Sequence, residues 1–321
     1  MTRKDEQRVG GAGDGAWVWW HRYGLLLVLV AVGIALAVAK PVFLTPGNLV
    51  NVVRQISING ILAVGVTLVL LSGGVDLSLG SVVALAGVVA AWFARGPDAF
   101  LLPVMMGVLA GTTCGAMNGW VVTRGGVAPF IVTLGMMTAA RGVALLISGG
   151  RPVSGLSPAF TALGSGDWLG IPYPVLVLVA VAGAMTVILR NLRWGRHLYA
   201  VGGNEHAARA SGLDVANIRL AAYTLCGALA GLAGVVLASR LTTGQPNAGV
   251  GYELDAIAAV VIGGTSLSGG VGGVGGTILG ALLMGVINNG LDLLNVSSYY
   301  QAVIKGVIIV GAVWLDKRAA K

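Results

Sequence analysis

The sequence predicts an all-α polytopic membrane protein of about ten transmembrane helices with both termini in the cytoplasm, and three observations carry that prediction. Hydrophobic residues make up 56% of the 321-residue chain and charged residues only 10%, where a soluble domain carries about 25% charged. Apolar stretches of spanning length recur from end to end. The 20 basic residues gather at the two ends and in one central segment, so the net charge of +8 reads as membrane topology and not as a nucleic-acid patch.

The apolar stretches run over residues 23–39, 50–71, 77–95, 100–123, 128–147, 172–189, 217–240, 253–264, 271–291 and 299–315. The eighth is short for a span of about 20 residues, and a re-entrant or broken helix is the alternative there. Residues 1–22 read as a disordered cytoplasmic tail and residues 23–321 as one transmembrane domain. Arg22 to Ala39 has the outline of a cleaved signal ending in Ala37-Val38-Ala39, but the polar leader is long for one, and a retained first helix is expected. With the N-terminus inside, ten crossings leave thirteen basic residues on the cytoplasmic side and four outside (Lys40, Arg95, Arg151, Arg240), as the positive-inside rule requires. Arg54, Arg141 and Lys305 fall within or near spans, to snorkel outward or to pair in the bundle.

Gly107, Gly111, Gly115 and Gly119 recur every four residues on one face of the fourth span, which lets another helix approach closely. Gly272, Gly276 and Gly280, and Gly227 with Gly231, repeat the device. Cys114 and Cys226 lie in apolar segments and read as small packing residues. The three histidines lack ligand spacing. Residues 148–174, rich in Gly, Pro and Ser with Trp168 and Tyr173 as interfacial anchors, make the longest outer loop. Residues 73–80 and 263–270 agree at five of eight positions, which fits both related halves of a transporter and a glycine-rich coincidence.

The polar centre of the chain, residues 190–219, holds five arginines; at the centre of a bilayer they would cost at least ~12 kcal/mol at ~2.5 each, so this segment sits in water. Within it Asn204 is placed to N-cap a short helix over residues 205–211, led by Glu205 and followed by Gly212 at C′. Two turns are not stable alone. The small side chains of Ala207, Ala208, Ala210 and Ser211 suit docking into a groove of a partner that supplies force, the bland alternative being an ordinary loop.

Motifs for chemistry fail. Residues 270–275 spell G-x-G-x-x-G without a preceding strand, no lysine follows a glycine as in a Walker A loop, and no hydrolase or paired-Cys metal pattern occurs. The chain therefore reads as a non-enzyme without cofactor or metal; if ATP drives it, another polypeptide binds the ATP. Polar residues inside spans are the better pointers. Asn51, Gln55 and Asn59 share a helix face, suited either to a neutral polyol or to an interhelical hydrogen-bond seam. Asn288, Asp292 and Asn295 give a similar face. Glu253 and Asp255 open the eighth stretch, to pair with Arg240 or Arg54 or to meet an outside partner. Asp76 lies in a Gly-x-Asp-Leu-Ser turn near an inner gate, with capping of a helix at Leu77 or Ser78 as the plainer role.

The stretches at residues 43–81 (FLTPGNLVNVVRQISINGILAVGVTLVLLSGGVDLSLGS), 195–215 (GRHLYAVGGNEHAARASGLDV) and 251–294 (beginning GYELDAIAAVVIGGTSLSGG) resemble the permease subunits of ribose-, xylose- and arabinose-type ABC importers, in the wider group that holds nucleoside and branched-chain amino acid permeases. The resemblance implies a multi-pass protein of the bacterial inner membrane that moves a monosaccharide inward by alternating access. It also implies a second permease copy, an ATPase subunit with two nucleotide-binding domains, and an extracytoplasmic sugar-binding protein. Membrane lipid surrounds the whole. Asn204, Glu205, Ala207, Ala208, Arg209, Ser211 and Gly212 match the loop that such permeases insert into the ATPase. Asn51, Gln55, Asn59, Asn288 and Asp292 are the candidate pathway, and Gly74, Asp76 and Ser78 the candidate gate turn. An ion-coupled transporter using Asp76, Glu253 or Asp292, an exporter or channel, and an importer of another small polar solute remain the alternatives.

Overall fold

The computed structural model describes residues 13–319. Each of the ten apolar stretches forms one helix: α1 (Gly13–Ala39), α2 (Pro46–Leu71), α3 (Leu79–Phe93), α4 (Leu101–Thr123), α5 (Pro129–Ser148), α7 (Tyr173–Asn191), α10 (Val215–Leu241), α11 (Tyr252–Ile262), α12 (Val274–Leu293) and α13 (Ser298–Ala319). Among the described residues three further α-helices lie outside those stretches, α6 (Pro158–Ser165), α8 (Arg193–Gly203) and α9 (Glu205–Ala210), with a one-turn 3-10 helix at Pro41–Leu44. Of the tail expected over residues 1–22, residues 1–12 lie outside the described residues, and the remainder is the first part of α1. Nothing between Ala16 and Tyr23 is a glycine or proline that would stop it.

Among the described residues six helices are long and apolar enough to cross a bilayer: α2, α4, α5, α7, α10 and α12. Their burial separates centre from rim. The apolar windows of α2 and α10 are 78% and 67% buried, those of α5 and α7 only 17% and 22%. The rim helices turn large apolar side chains such as Leu146 and Val179 outward, as a surface that meets lipid or another membrane subunit does.

The four glycines of α4 face α10. A Cβ at Gly111 would collide with the Gly227 carbonyl, and one at Gly227 with the Gly111 carbonyl. The two backbones therefore touch, as the four-residue spacing implies. Helix α12 runs antiparallel to α2, joined by the hydroxyls of Thr67 and Thr277 at 2.7 Å and by reciprocal amide bonds between Asn48 and Asn289 of 3.0 and 2.9 Å. This seam uses amides adjacent to, but not among, the trio at 51, 55 and 59. Cys114 and Cys226 are free and buried.

The stretch expected as the longest outer loop is more ordered than its composition suggests. Ser157 caps α6 by accepting from Phe160 N at 3.1 Å. Phe160 is fully buried, and Ser239 of α10 both donates to its carbonyl and accepts from Gly164 N, each at 2.7 Å. A two-stranded hairpin at residues 167–168 and 171–172 then leads into α7.

Two helices are short. At 1.5 Å per residue, the 15 residues of α3 cover about 22 Å and the 11 of α11 about 16 Å, against a hydrocarbon core of about 30 Å. Each is preceded by non-helical chain, residues 72–78 before α3 and residues 242–251 before α11. The helix of the eighth apolar stretch is thus too short to cross that core alone.

Candidate functional site

Helix α9 forms for the local reasons its sequence announces. Asn204 sits in extended backbone and its Oδ1 accepts from Ala207 N at 2.9 Å. At the other end Gly212 takes a φ of 79°, Gly212 N donates to the Arg209 carbonyl at 3.0 Å and Leu213 N to the Ala208 carbonyl at 3.1 Å. That pair of bonds is a Schellman closure, and the left-handed position belongs to glycine.

The face on which the small residues were expected to act together is divided. Ala207, Arg209, Ala210, Ser211 and Gly212 are exposed, but Ala208 is 4% exposed and packs into the protein's own core. The reason is the helical period: with Gly212 closing the helix, one side of so short a segment must rest on the bundle, and Ala208 lies on that side. Glu205 is also engaged within the chain. Its Oε1 meets Arg209 Nη2 at 2.8 Å and its Oε2 meets Arg219 Nη2 at 2.8 Å. These partners, Arg209 first, hold the carboxyl below the usual carboxylate range against a smaller opposing effect of burial.

Arg219, near the start of α10, carries the connection inward. Its Nε donates to the Ser72 carbonyl at 3.1 Å, at the C-terminus of α2, where carbonyls lack helical partners. Four residues on, Asp76 is buried and its Oδ1 accepts from Ser78 N at 2.9 Å and Ser78 Oγ at 2.6 Å. The carboxylate therefore braces the turn, and α3 itself begins at Leu79, one residue beyond the latest expected start. Asn118 Nδ2 donates to Ser78 Oγ at 3.0 Å, and the Tyr223 hydroxyl donates to the Val75 carbonyl at 3.1 Å.

The second glycine-rich turn meets the first. Gly270 N donates to the Leu71 carbonyl at 3.1 Å, and Gly202, at the end of α8, lies so close to that carbonyl that a Cβ would overlap it. Tyr199 of α8 donates to the Gly272 carbonyl at 2.9 Å. The two similar stretches and the base of the α8–α9 unit thus converge at one end of the bundle.

The five candidate pathway residues do not share one cavity. Asn51 is exposed, Gln55 is half-buried and lines a cavity with Arg240 and Tyr252, and Asn59 is buried. Asn288 is buried on the Asp255 side, its Nδ2 3.4 Å from Asp255 Oδ2. Asp292 is exposed and accepts from Gln301 at 2.9 Å. The basic residues left within spans all find partners. Arg54 donates to the Ser165 carbonyl at 2.6 Å and Arg141 to those of Pro246 and Ala248. Lys305 pairs with Asp255 at 2.8 Å, a pairing within the bundle of the kind expected for Lys305, and a partner other than the Arg240, Arg54 or outside protein considered for Asp255. Arg219, Tyr223, Asn118 and Tyr199 are the participants that sequence reasoning missed. Their signal, a polar side chain in or beside an apolar span, is present for each but does not name the carbonyl it reaches.

An all-α bundle whose rim helices turn apolar side chains outward is a polytopic membrane protein, the class to which permeases belong. A family model described as "Branched-chain amino acid transport system / permease component" matches residues 48–313, and the chain belongs to that family. It is 46% identical over 301 residues to the ribose import permease protein RbsC of Bacillus subtilis, covering 93% of each chain. It is 47% identical to the RbsC protein of Escherichia coli K12, covering 91% of this chain and 92% of the relative. With the L-arabinose ABC transporter permease protein AraH of Azospirillum brasilense it shares 39% identity, covering 95% and 90%. No solved structure matches the chain significantly.

Proposed function

We propose that this chain is the membrane-spanning subunit of an ATP-driven ABC importer that admits a ribose-like monosaccharide across a bacterial inner membrane by alternating access. The observation that carries the reading is the end-to-end likeness to ribose import permeases, with more than nine tenths of each chain matched. The chain works as a transport subunit with a separate ATPase, an extracytoplasmic sugar-binding protein and a second permease copy in the lipid bilayer. The ten helices that correspond to apolar stretches each cross or enter the membrane, and both termini lie in the cytoplasm.

Force enters at residues 190–219. Helix α9 offers the ATPase an exposed surface of Asn204, Ala207, Arg209, Ala210, Ser211 and Gly212, while Ala208 and Glu205 fasten it to the bundle. Two groups, the Arg219 guanidinium and the Gly202 backbone, relay its movement to the turn holding Gly74, Asp76 and Ser78. A partner whose two nucleotide states contact α9 differently can then shift the equilibrium of that turn.

The test is uptake of labelled D-ribose into vesicles holding the permease, the ATPase and the binding protein. Uptake is expected only with ATP and all three components, and Ala207→Trp with Ala210→Trp is expected to abolish both uptake and retention of the ATPase. Accumulation of ribose by the purified permease alone under a proton or sodium gradient would overturn the reading in favour of ion coupling.

A further inference from the structure

After α10 ends at Leu241 the chain does not leave the bundle. Val153 and Gly244 exchange backbone hydrogen bonds of 2.9 Å, Gly244 lies against Gly87 and Ala91 of α3, and Gly249 lies against Gly80. From Gly87 to Gly80, α3 covers about 10 Å at 1.5 Å per residue. Residues 242–251 therefore descend at least that far into the bundle before α11 begins at Tyr252.

Non-helical backbone at such a depth is tolerated only where protein covers it or where it lines a cavity. Both conditions hold. On one side Arg141 of α5 donates from Nη1 to the carbonyls of Pro246 at 2.6 Å and Ala248 at 2.7 Å. Another side lines a cavity of about 480 Å³ whose polar walls are Gln55 of α2, Arg240 of α10, and Gln245, Asn247 and Tyr252. That volume lies within the usual range of small-molecule sites, about 300–1,000 Å³.

The polar groups around this space are largely uncommitted. Among the described residues the side chains of Gln55, Arg240, Asn247 and Tyr252 make no hydrogen bond or ion pair within the chain, and Gln245 has one long bond of 3.3 Å to the Thr243 hydroxyl. Three amides each donate and accept, a guanidinium donates, and a phenol does both beside an aromatic face. No carboxylate is among the lining residues; Glu253 and Asp255, which follow Tyr252 on α11, lie against Gly80 and pair with Lys305 respectively, so the charge at the cavity wall itself is that of Arg240, which disfavours a cation or an ammonium group there. The set suits a neutral ring carrying many hydroxyls and one apolar face.

We propose that this cavity in the broken segment between α10 and α11 holds a neutral monosaccharide during its passage, with Gln55, Arg240, Gln245 and Asn247 on its hydroxyls and Tyr252 against its ring. The proposal rests on the import function proposed above and locates the substrate within it. It replaces the candidate pathway along the polar residues of α2 and α12 by one that keeps Gln55 and releases Asn51, Asn59, Asn288 and Asp292.

The experiment uses the complete transporter in vesicles, with D-ribose, D-allose, L-arabinose and L-leucine as probes. Asn247→Leu and Tyr252→Ala are expected to lower sugar uptake about tenfold by leaving hydroxyls or the ring without a partner, while ATP hydrolysis stimulated by the loaded binding protein stays within about twofold. Tyr252→Phe, which keeps the ring, is expected to keep most of the uptake. Gln55→Glu serves where a larger change impairs assembly, and is expected to raise KM and alter the order of preference among the sugars, which a folding defect alone does not do. Unchanged uptake and unchanged preference in all variants overturn the cavity assignment with import intact. A wild-type complex that imports none of the three sugars overturns the import function itself.

Discussion

Arg219 and Glu205 stand 2.8 Å apart, Nη2 to Oε2, and the same guanidinium reaches from Nε to the Ser72 carbonyl at 3.1 Å. One planar group thus joins the exposed helix α9 to the end of α2. Lysine does not reproduce this, because its three N–H donors sit on one nitrogen, whereas the two acceptors here are met by two separate nitrogens of the guanidinium. Arg219→Lys is therefore expected to leave ATPase binding intact and to lower uptake per ATP hydrolysed about tenfold, the scale of a coupling of roughly 1.4 kcal/mol. The measurement is the ratio of sugar uptake to phosphate release in vesicles. An unchanged ratio removes Arg219 from the relay.

The Glu205 pair also sets a pH dependence. Its carboxyl is lowered by Arg209 first and by Arg219, so the ionised form is the one favoured in the fold. The stability this gives is fully present above the unfolded carboxylate value of about 4.3 and is lost as pH falls through the lower folded value. Because the side chain is 34% exposed, solvent screening limits the contribution to about 0.5 kcal/mol. Glu205→Gln is expected to unfold slightly earlier than wild type at pH 7, with the gap closing below about pH 4. Thermal unfolding of both proteins across that window checks the sign. A gap that widens on acidification contradicts the ion-pair assignment.

The parts of this structure that could be read in the sequence are those governed by local rules. The ten helices followed from apolar length, and the cap at Asn204 and the closure at Gly212 from backbone preferences that neighbouring residues decide. The α4–α10 contact was legible because four glycines at a fixed spacing have few other uses. What escaped depends on distance along the chain. Arg219 reaches a carbonyl 147 positions away, Lys305 reaches Asp255 across 50, and periodicity cannot rank such partners. Ala208 was placed with its neighbours by composition, whereas the turn of the helix sends it inward. The course of residues 242–251 left only a shortened apolar stretch as its trace, and the helix there is correspondingly short at 11 residues.

The ion pair between Lys305 and Asp255 offers a stability test. Asp255 has a side chain 6% exposed and Lys305 one 28% exposed, with 2.8 Å between them, and Asp255 Oδ1 has no partner of its own among the described residues. Removing the cation strands a buried carboxylate. Lys305→Met is expected to cost about 2–3 kcal/mol, below the fully buried case because the lysine is partly exposed. Lys305→Met with Asp255→Asn is expected to recover most of that loss, since two groups of matched neutrality need no mutual compensation. Thermal unfolding in detergent distinguishes the two, and equal damage in single and double variants would show that the pair is not what holds α13 to α11.

The packing of α4 on α10 makes the last prediction, with an internal control. At Gly111 a Cβ meets Gly227 O and the Gly231 backbone, groups that cannot rotate away, whereas at Gly183 on α7 nothing lies within 4 Å. Helix propensity favours alanine over glycine by up to about 1 kcal/mol at either position, so propensity alone stabilises both variants. Steric overlap opposes it only at Gly111, where the helices must separate and the central helix α10 loses its contact with α4; forced displacements of this kind cost about 1–3 kcal/mol or more. Gly111→Ala is therefore expected to lower the unfolding temperature and Gly183→Ala to leave it unchanged or raise it. If both behave alike, the glycine spacing in α4 serves flexibility and not close approach, and the backbone contact between α4 and α10 is not what secures the centre of the bundle.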